Sequence, residues 1–164
     1  VAAGRADFKQ ACSKFEEITK TKPENQRMVL LLASLANAAF CRLFGGDAAA
    51  MLIVFIATLA GYRLKQIMLS EKLDTRLTFF CSAFFSSVIC TGSHIFGWGN
   101  TPEIAVGTSV LYLIPGIPYI NSVSDMLDGH YICMFGRLTD AIVLTASLSA
   151  GLCAGMLLMN LSLF

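Results

Sequence analysis

The feature that most constrains the fold is a long uncharged run at the C-terminal end of the chain. Residues 141–164 contain no Asp, Glu, Lys or Arg. The hydrocarbon core of a bilayer, about 30 Å thick, takes about 20 mostly apolar residues of helix. Since 55% of the 164 residues are hydrophobic and only 14% are charged, the composition is that of a membrane protein.

Five such runs predict an all-α fold, a polytopic membrane bundle of five transmembrane helices. The predicted spans are about 28–45, 48–69, 76–97, 103–125 and 131–162. Between the first two lies the sequence FGGD, in which Gly45 and Gly46 allow a tight turn and Asp47 caps the following helix. We interpret Asp47 as a helix cap, and the alternative is a role in transport.

The basic residues predict which way the chain crosses the membrane. With the N-terminus in the cytoplasm, eleven of the 12 Lys and Arg residues lie on the cytoplasmic side and only Arg42 lies outside. Cytoplasmic flanks carry such an excess, so we expect a cytoplasmic N-terminus and an external C-terminus. No basic patch contains interleaved aromatic residues, so no nucleic-acid partner is indicated.

The chain divides into two predicted regions, residues 1–27 and a transmembrane domain of residues 28–164. The first is a cytoplasmic segment with a short amphipathic helix, because its apolar residues recur at intervals of three and four. These residues are Phe8, Ala11, Phe15 and Ile18. We expect the helix to lie on the membrane surface or beneath the bundle, with ligand binding as the alternative.

No pattern predicts an enzyme, a metal site or a cofactor. The six cysteines form no CxxC pair and most lie in apolar runs, so we interpret them as small apolar residues of helices. Metal-assisted phosphotransfer needs several convergent carboxylates. The acidic residues that follow Asp128 are too few for it.

The sequence LIPGIPYIN, residues 113–121, interrupts the fourth predicted span. Pro115 and Pro118 lack amide hydrogens, and Gly116 admits backbone conformations closed to other residues. The fourth helix should therefore be broken at this Pro-Gly-x-Pro motif. Freed backbone groups are costly in hydrocarbon unless they face protein or a watery cavity, as they do at the substrate sites of transporters. We expect such a cavity at the break, and a simple proline kink is the alternative.

Polar residues follow the break and continue into the fifth span. Asn121 and Asp125 are four apart and share a helix face, and the N-terminal amides of that helix favour an anionic group. Arg137 and Asp140, three apart, form either a structural ion pair or a site in which Arg137 holds a substrate carboxylate. His94, near the outer end of the third span, either couples protons to transport or is only an interfacial residue.

The run PGIPYINSVSDMLDGHYICMFGRLTDAI, residues 115–142, resembles the hallmark stretch of the bacterial threonine/serine exporter (ThrE) family. The pattern is a Pro-Gly-x-Pro break, an Asn, an Asp, a Gly before the fifth span, an Arg, and an acidic residue three positions later. The matching positions are Pro115, Gly116, Pro118, Asn121, Asp125, Gly129, Arg137 and Asp140. The FGGD turn and the amphipathic segment also resemble that family, so the likeness covers nearly the whole chain.

The resemblance implies an exporter in the bacterial inner membrane for small amino acids such as threonine and serine, or for small dicarboxylates such as succinate. In the family's dicarboxylate exporters this five-span half works with a separate, smaller membrane subunit, which fits the odd number of spans. We therefore expect a small-molecule substrate, the lipid bilayer, and a second membrane subunit or a homo-oligomer as partners. The family usually carries a further soluble stretch at the start, so we expect an N-terminally shortened protein.

The leading hypothesis is a secondary exporter, driven by the proton motive force, that binds a small carboxylate-bearing metabolite near the Pro-Gly-x-Pro break. Asn121 would hydrogen-bond the substrate, Asp125 would take a proton or the substrate amine, and Arg137 would face the carboxylate. The main alternative is a structural or regulatory subunit whose polar residues only lock the bundle. A passive channel is a third possibility.

Overall fold

The computed structural model describes residues 12–16, 25–95 and 101–159, and within those ranges it contains helices and no strands. The all-α class predicted from the sequence is confirmed. The helices are α1 (Gln26–Leu43), α2 (Ala48–Ser70), α3 (Thr75–Ile95), α4 (Pro102–Thr108), a short 3₁₀ helix η1 (Leu111–Leu113), α5 (Gly116–Leu127) and α6 (Tyr131–Leu158). Most of the predicted amphipathic helix, including Phe8, Ala11 and Ile18, and the side chain of His94 lie outside the described residues.

Short polar side chains mark where α2 and α3 begin. Asp47 Oδ1 accepts a hydrogen bond from the Ala50 backbone N–H at 2.9 Å, so the predicted cap is confirmed. Gly45 makes the turn before it with a φ of +90°, a conformation that costs glycine little. At the start of α3, Asp74 Oδ1 accepts from the Arg76 backbone N–H at 2.8 Å. Such caps satisfy amides that have no partner inside the helix.

The central contact of the bundle is between α3 and α6. A Cβ atom at Gly151 would meet the backbone carbonyl oxygen of Phe80, and one at Gly155 would meet the side chain of Ser87. The two helices therefore approach each other through positions without side chains, as small residues at four-residue spacing permit in membrane bundles. Ser87 Oγ also donates a hydrogen bond to the carbonyl oxygen of Leu152 at 3.1 Å.

Two apolar clusters surround this contact. The first, contributed by α1, α2, α3 and α4, contains Cys41, Ala50, Ile53, Val54, Ala57, Cys90, Ala105 and Val106. The second, contributed by α3, the η1 segment and α6, contains Phe79, Ala83, Val110, Leu113 and Leu148. Many large apolar side chains on the outer faces of the helices are exposed. Exposed apolar surface on this scale is typical of a protein that contacts a membrane or another chain.

The fourth predicted span, residues 103–125, is occupied by three helical pieces, α4, η1 and α5. The combined α4–η1 segment and α5 are inclined by 60° to each other, with residues 114–115 between them. By length and apolar character, α2 and α6 are able to cross a membrane, and the bent pair adds a third crossing if it forms one span. The five-span arrangement stays a prediction.

We expect Gly151→Ala to lower the free energy of unfolding by about 1–3 kcal/mol, because overpacking a tight contact forces helices apart. Gly136→Ala is the matched control on the same helix, since a Cβ there has no neighbour within 4 Å. The measurement is an SDS-unfolding titration of the purified protein. Equal stability of the two variants would show that the α3–α6 contact is not as close as described.

Candidate functional site

The charged site is built on the antiparallel hairpin of α5 and α6. Gly129, with a φ of +77°, makes the turn between the two helices, in a conformation that glycine adopts readily. Two polar contacts hold the helices together along the hairpin. Tyr119 Oη lies 3.0 Å from Thr145 Oγ1, and Ser122 Oγ donates to the carbonyl oxygen of Met134 at 3.4 Å. The facing sides of α5 and the first half of α6 are therefore fixed against each other.

An ion pair crosses this hairpin between Asp125 and Arg137. Arg137 Nη1 lies 2.9 Å from Asp125 Oδ2, and the Asp125 side chain is 17% exposed whereas that of Arg137 is 51% exposed. Asp125 Oδ2 is buried and accepts no aligned hydrogen bond from the described part of the chain. The guanidinium charge is thus its main compensation, which makes the pair sensitive to anything that competes for Arg137.

A second ion pair joins α6 to the start of α3. Arg76 Nη2 lies 3.8 Å from Asp140 Oδ1, and the two side chains are 59% and 70% exposed. The ion pair of Arg137 with Asp140, one of the two alternatives, is not formed, because each residue is paired with a residue of another helix instead. Exposed pairs at this distance are weak, so Arg76 and Asp140 are free to exchange partners at low cost.

A cavity of about 530 Å³ lies beside the second pair. It is lined by Asp74, Thr75, Arg76, Pro118, Asp140 and Leu144. Three of the six lining residues are charged and one carries a hydroxyl group. The lining is therefore more polar than the mostly apolar lining of a typical small-molecule site, and its charged groups are suited to a ligand that carries a charge.

The predicted site residues fall into three groups. Pro118 and Asp140 line the cavity, and Asp125 and Arg137 form the neighbouring ion pair. Pro115 is buried at the start of α5, Gly116 is half-buried beside it, and Asn121 is exposed on the same helix. The structure therefore brings four of the seven residues around the α5–α6 hairpin and leaves Asn121 on its outer surface.

The start of α5 offers few free donors for an anion. Pro118 has no amide hydrogen, the Gly116 N–H donates to the Ile114 carbonyl at 2.8 Å, and the Tyr119 N–H donates to the Pro115 carbonyl at 3.4 Å. The guanidinium groups nearby are therefore better suited to bind the anionic group that was expected at this helix N-terminus. Charged donors bind carboxylates more strongly than neutral amides do.

The sequence analysis missed Arg76 as a site residue and counted it only as a membrane flank. A signal was present, since Arg76 lies in the first turn of α3, where the helix dipole disfavours a cation. A cation in that position needs compensation from elsewhere, and Asp140 supplies it. Asp74 and Thr75 also belong to the site, because α3 begins beside the cavity that they line.

With this geometry, the comparison with known proteins identifies the class of protein. The family profile described as “Putative threonine/serine exporter” (ThrE) matches residues 1–159. The chain therefore belongs to the threonine/serine exporter family, and the resemblance noted in residues 115–142 is confirmed. No solved structure matches the chain.

Two curated relatives are similar to the chain. It is 31% identical over 147 residues to the “Probable succinate transporter subunit YjjP” of Escherichia coli (strain K12). This match covers 88% of this chain and 57% of that protein. It is 28% identical over 156 residues to the protein of the same name from Klebsiella aerogenes, and this match covers 94% of this chain and 60% of that protein. The chain thus spans about three fifths of the length of these relatives. The family and both relatives have the names of transport proteins.

The two ion pairs should differ in strength when measured by double-mutant cycles. For Asp125→Ala and Arg137→Ala we expect a coupling of about 1–3 kcal/mol in the free energy of unfolding, because the carboxylate is mostly buried. For Arg76→Ala and Asp140→Ala, which serve as the matched exposed pair, we expect about 0.2–1 kcal/mol. Couplings of equal size would contradict the burial of Asp125.

Proposed function

We propose that this chain is part of a secondary exporter of small carboxylate-bearing metabolites in the bacterial inner membrane, driven by the proton motive force. The substrate classes are threonine or serine, as the family description indicates, and succinate-like dicarboxylates, as the names of the relatives indicate. The cavity beside Arg76 and Asp140 is the site at which we place the substrate.

The observation that carries this proposal is the presence of two arginine–aspartate pairs at one end of the bundle. Arg76 and Arg137 belong to different helices, and each is held by an aspartate at 3.8 Å and 2.9 Å respectively. A carboxylate substrate offers an arginine the same ligand that the aspartate offers. Substrate binding therefore exchanges one carboxylate for another at the arginine, so the guanidinium group keeps a partner while the aspartate gives up its own.

The exchange suggests how a proton is coupled to transport. When a substrate carboxylate takes Arg137, Asp125 Oδ2 loses its main compensation in a buried position. An exporter driven by the proton motive force moves protons inward while its substrate moves outward, so the proton and the substrate occupy the site in turn. In this proposal Asp125 takes either a proton or the substrate amine, and the proton is bound after the substrate has left. Asp140 is open to the same exchange at the exposed pair.

The predicted orientation places this site on the cytoplasmic side. The starts of α3 and α6, which carry Arg76, Arg137 and Asp140, are the cytoplasmic ends of the third and fifth predicted spans. An exporter loads its substrate from that side. In this proposal residues 1–27 lie at the cytoplasmic surface, residues 28–164 form the transmembrane domain, and the C-terminus is outside.

A partner subunit belongs to the proposal. Both relatives are named as transporter subunits, and Asn121 and Arg137 on the hairpin are exposed to its outer side. Polar groups within a membrane bundle face protein or water rather than lipid. A second membrane subunit, or a second copy of the chain, packed on the α5–α6 hairpin would enclose these groups.

The alternative of a structural subunit is favoured by one observation. Both arginines already have a carboxylate partner within the chain. This is the arrangement expected if the ion pairs only lock α3, α5 and α6 together. In that case Arg137→Ala lowers the amount of folded protein and leaves transport per assembled complex unchanged.

The test of function is efflux of labelled threonine and labelled succinate from cells that express the full protein, with and without the partner subunit. We expect partner-dependent efflux of one label, and a loss of about tenfold in Asp125→Asn, equivalent to about 1.4 kcal/mol. Asp128→Asn is the matched control, since Asp128 is exposed at the end of the same helix.

Two results would contradict the proposal. Unchanged efflux from the double variant Asn121→Ala and Asp125→Asn, at matched membrane levels, would remove the site assignment. Efflux that continues after a protonophore collapses the proton gradient, while the substrate gradient persists, would indicate a passive channel.

A further inference from the structure

The two aspartates that line the polar cavity differ in their partners. Asp140 is paired with Arg76, whereas Asp74 forms no ion pair with an arginine or lysine in the part of the chain that the structure describes. The Asp74 side chain accepts a hydrogen bond from the Arg76 backbone N–H through Oδ1, at 2.8 Å. A carboxylate accepts hydrogen bonds on both of its oxygens. Asp74 therefore has its second oxygen, Oδ2, available to a ligand in the cavity.

The charges of the cavity lining do not balance. Asp74 and Asp140 carry two negative charges, and Arg76 carries one positive charge, so the lining has one negative charge in excess. The loop before α3 adds one charge of each sign, on Glu71 and Lys72, and leaves this excess unchanged. Opposite charges attract and like charges repel. The cavity as a whole therefore favours a ligand that brings a positive group.

An amino acid carries both of the charges that this cavity is able to bind. Its carboxylate would take Arg76, as proposed above, and its ammonium group would take Asp74. Arg76 and Asp74 are two positions apart at the start of α3 and line the same space, and the two groups of an amino acid are attached to one carbon atom. A dicarboxylate such as succinate brings two negative charges and no cation, so it would leave Asp74 without a partner.

We propose that Asp74 binds the ammonium group of the substrate and thereby makes the cavity prefer an amino acid to a dicarboxylate. The proposal rests on the proposed function for the assignment of the cavity as the substrate site. It also separates two tasks that were left together at Asp125. Asp74 takes the amine in the cavity, and Asp125, which belongs to the neighbouring ion pair, is left to take the proton.

The competing explanation is that Asp74 only caps α3. Asparagine and serine cap helices about as well as aspartate does, so Asp74→Asn and Asp74→Ser keep the cap and remove the charge. Asp47→Asn is the matched control, because Asp47 caps α2 through its own Oδ1 and does not line the cavity. If capping is the whole role of Asp74, all three variants bind ligands as the unmodified protein does.

The test is equilibrium binding of labelled threonine to the full protein with its partner subunit in lipid nanodiscs. The unlabelled competitors are succinate and 2,3-dihydroxybutanoate, which is threonine with a hydroxyl group in place of the amine. We expect threonine to bind about tenfold more tightly than this amine-free analogue, because hydrogen bonds to charged groups are strong.

In Asp74→Asn and Asp74→Ser, threonine and the analogue should bind about equally. Succinate should compete about threefold more strongly than in the unmodified protein, because one negative charge has been removed from the cavity. Asp47→Asn should retain the tenfold preference for threonine.

Three results would overturn the role of Asp74. They are the absence of threonine binding, equal binding of threonine and the analogue by the unmodified protein, and a preference that persists in Asp74→Asn but is lost in Asp140→Asn. Binding is measured without transport, so its outcome is separate from that of the efflux experiment. Threonine binding through Asp74 without export of either label would support this inference and contradict the proposed function. Export of succinate without threonine binding would do the reverse.

Discussion

The close contact of α3 with α6 determines where the charged site forms. Gly151 and Gly155 let the two helices meet through the backbone at Phe80 and through Ser87. Because successive contacts advance together along both helices, α3 and α6 run in the same direction. That arrangement places Arg76, at the start of α3, beside Asp140 of α6. The hairpin to α5 then adds Asp125 and Arg137 at the same end.

The electrostatic consequence is a site in which charges are balanced but loosely held. Asp125 is mostly buried and depends on one guanidinium group, whereas Arg76 and Asp140 are exposed at a longer distance. Breaking a buried pair by removing one partner is strongly unfavourable. In the proposed function, a substrate that carries its own carboxylate would take the place of an aspartate at one of the arginines, and the cavity would hold it.

The sequence was most informative where structure depends on neighbouring residues. The predicted spans at 48–69 and 131–162 correspond to α2 and α6 within a few residues, because apolar run length and the cap at Asp47 are local properties. The partner of Arg137 could not be predicted from spacing. Asp140 lies three residues away on the same helix and was one of two alternatives, but the turn at Gly129 folds α5 back and presents Asp125 instead.

The role of α3 could not be predicted from spacing alone. Ser82 and Ser86 looked like packing residues, and their contact with Tyr112 depends on the path of the chain before the break. Arg76 likewise joins the site through a contact across 64 positions of sequence with Asp140. Contacts of this kind arise from helix packing, which the pattern of one segment does not contain.

The most direct test of the account is a cryo-electron microscopy structure of the full protein with its partner subunit, determined with succinate and with threonine. The account predicts that one of these solutes lies in the cavity, with its carboxylate on Arg76 or Arg137 and the corresponding aspartate displaced. A bound solute elsewhere, with both arginine–aspartate pairs intact, would contradict it.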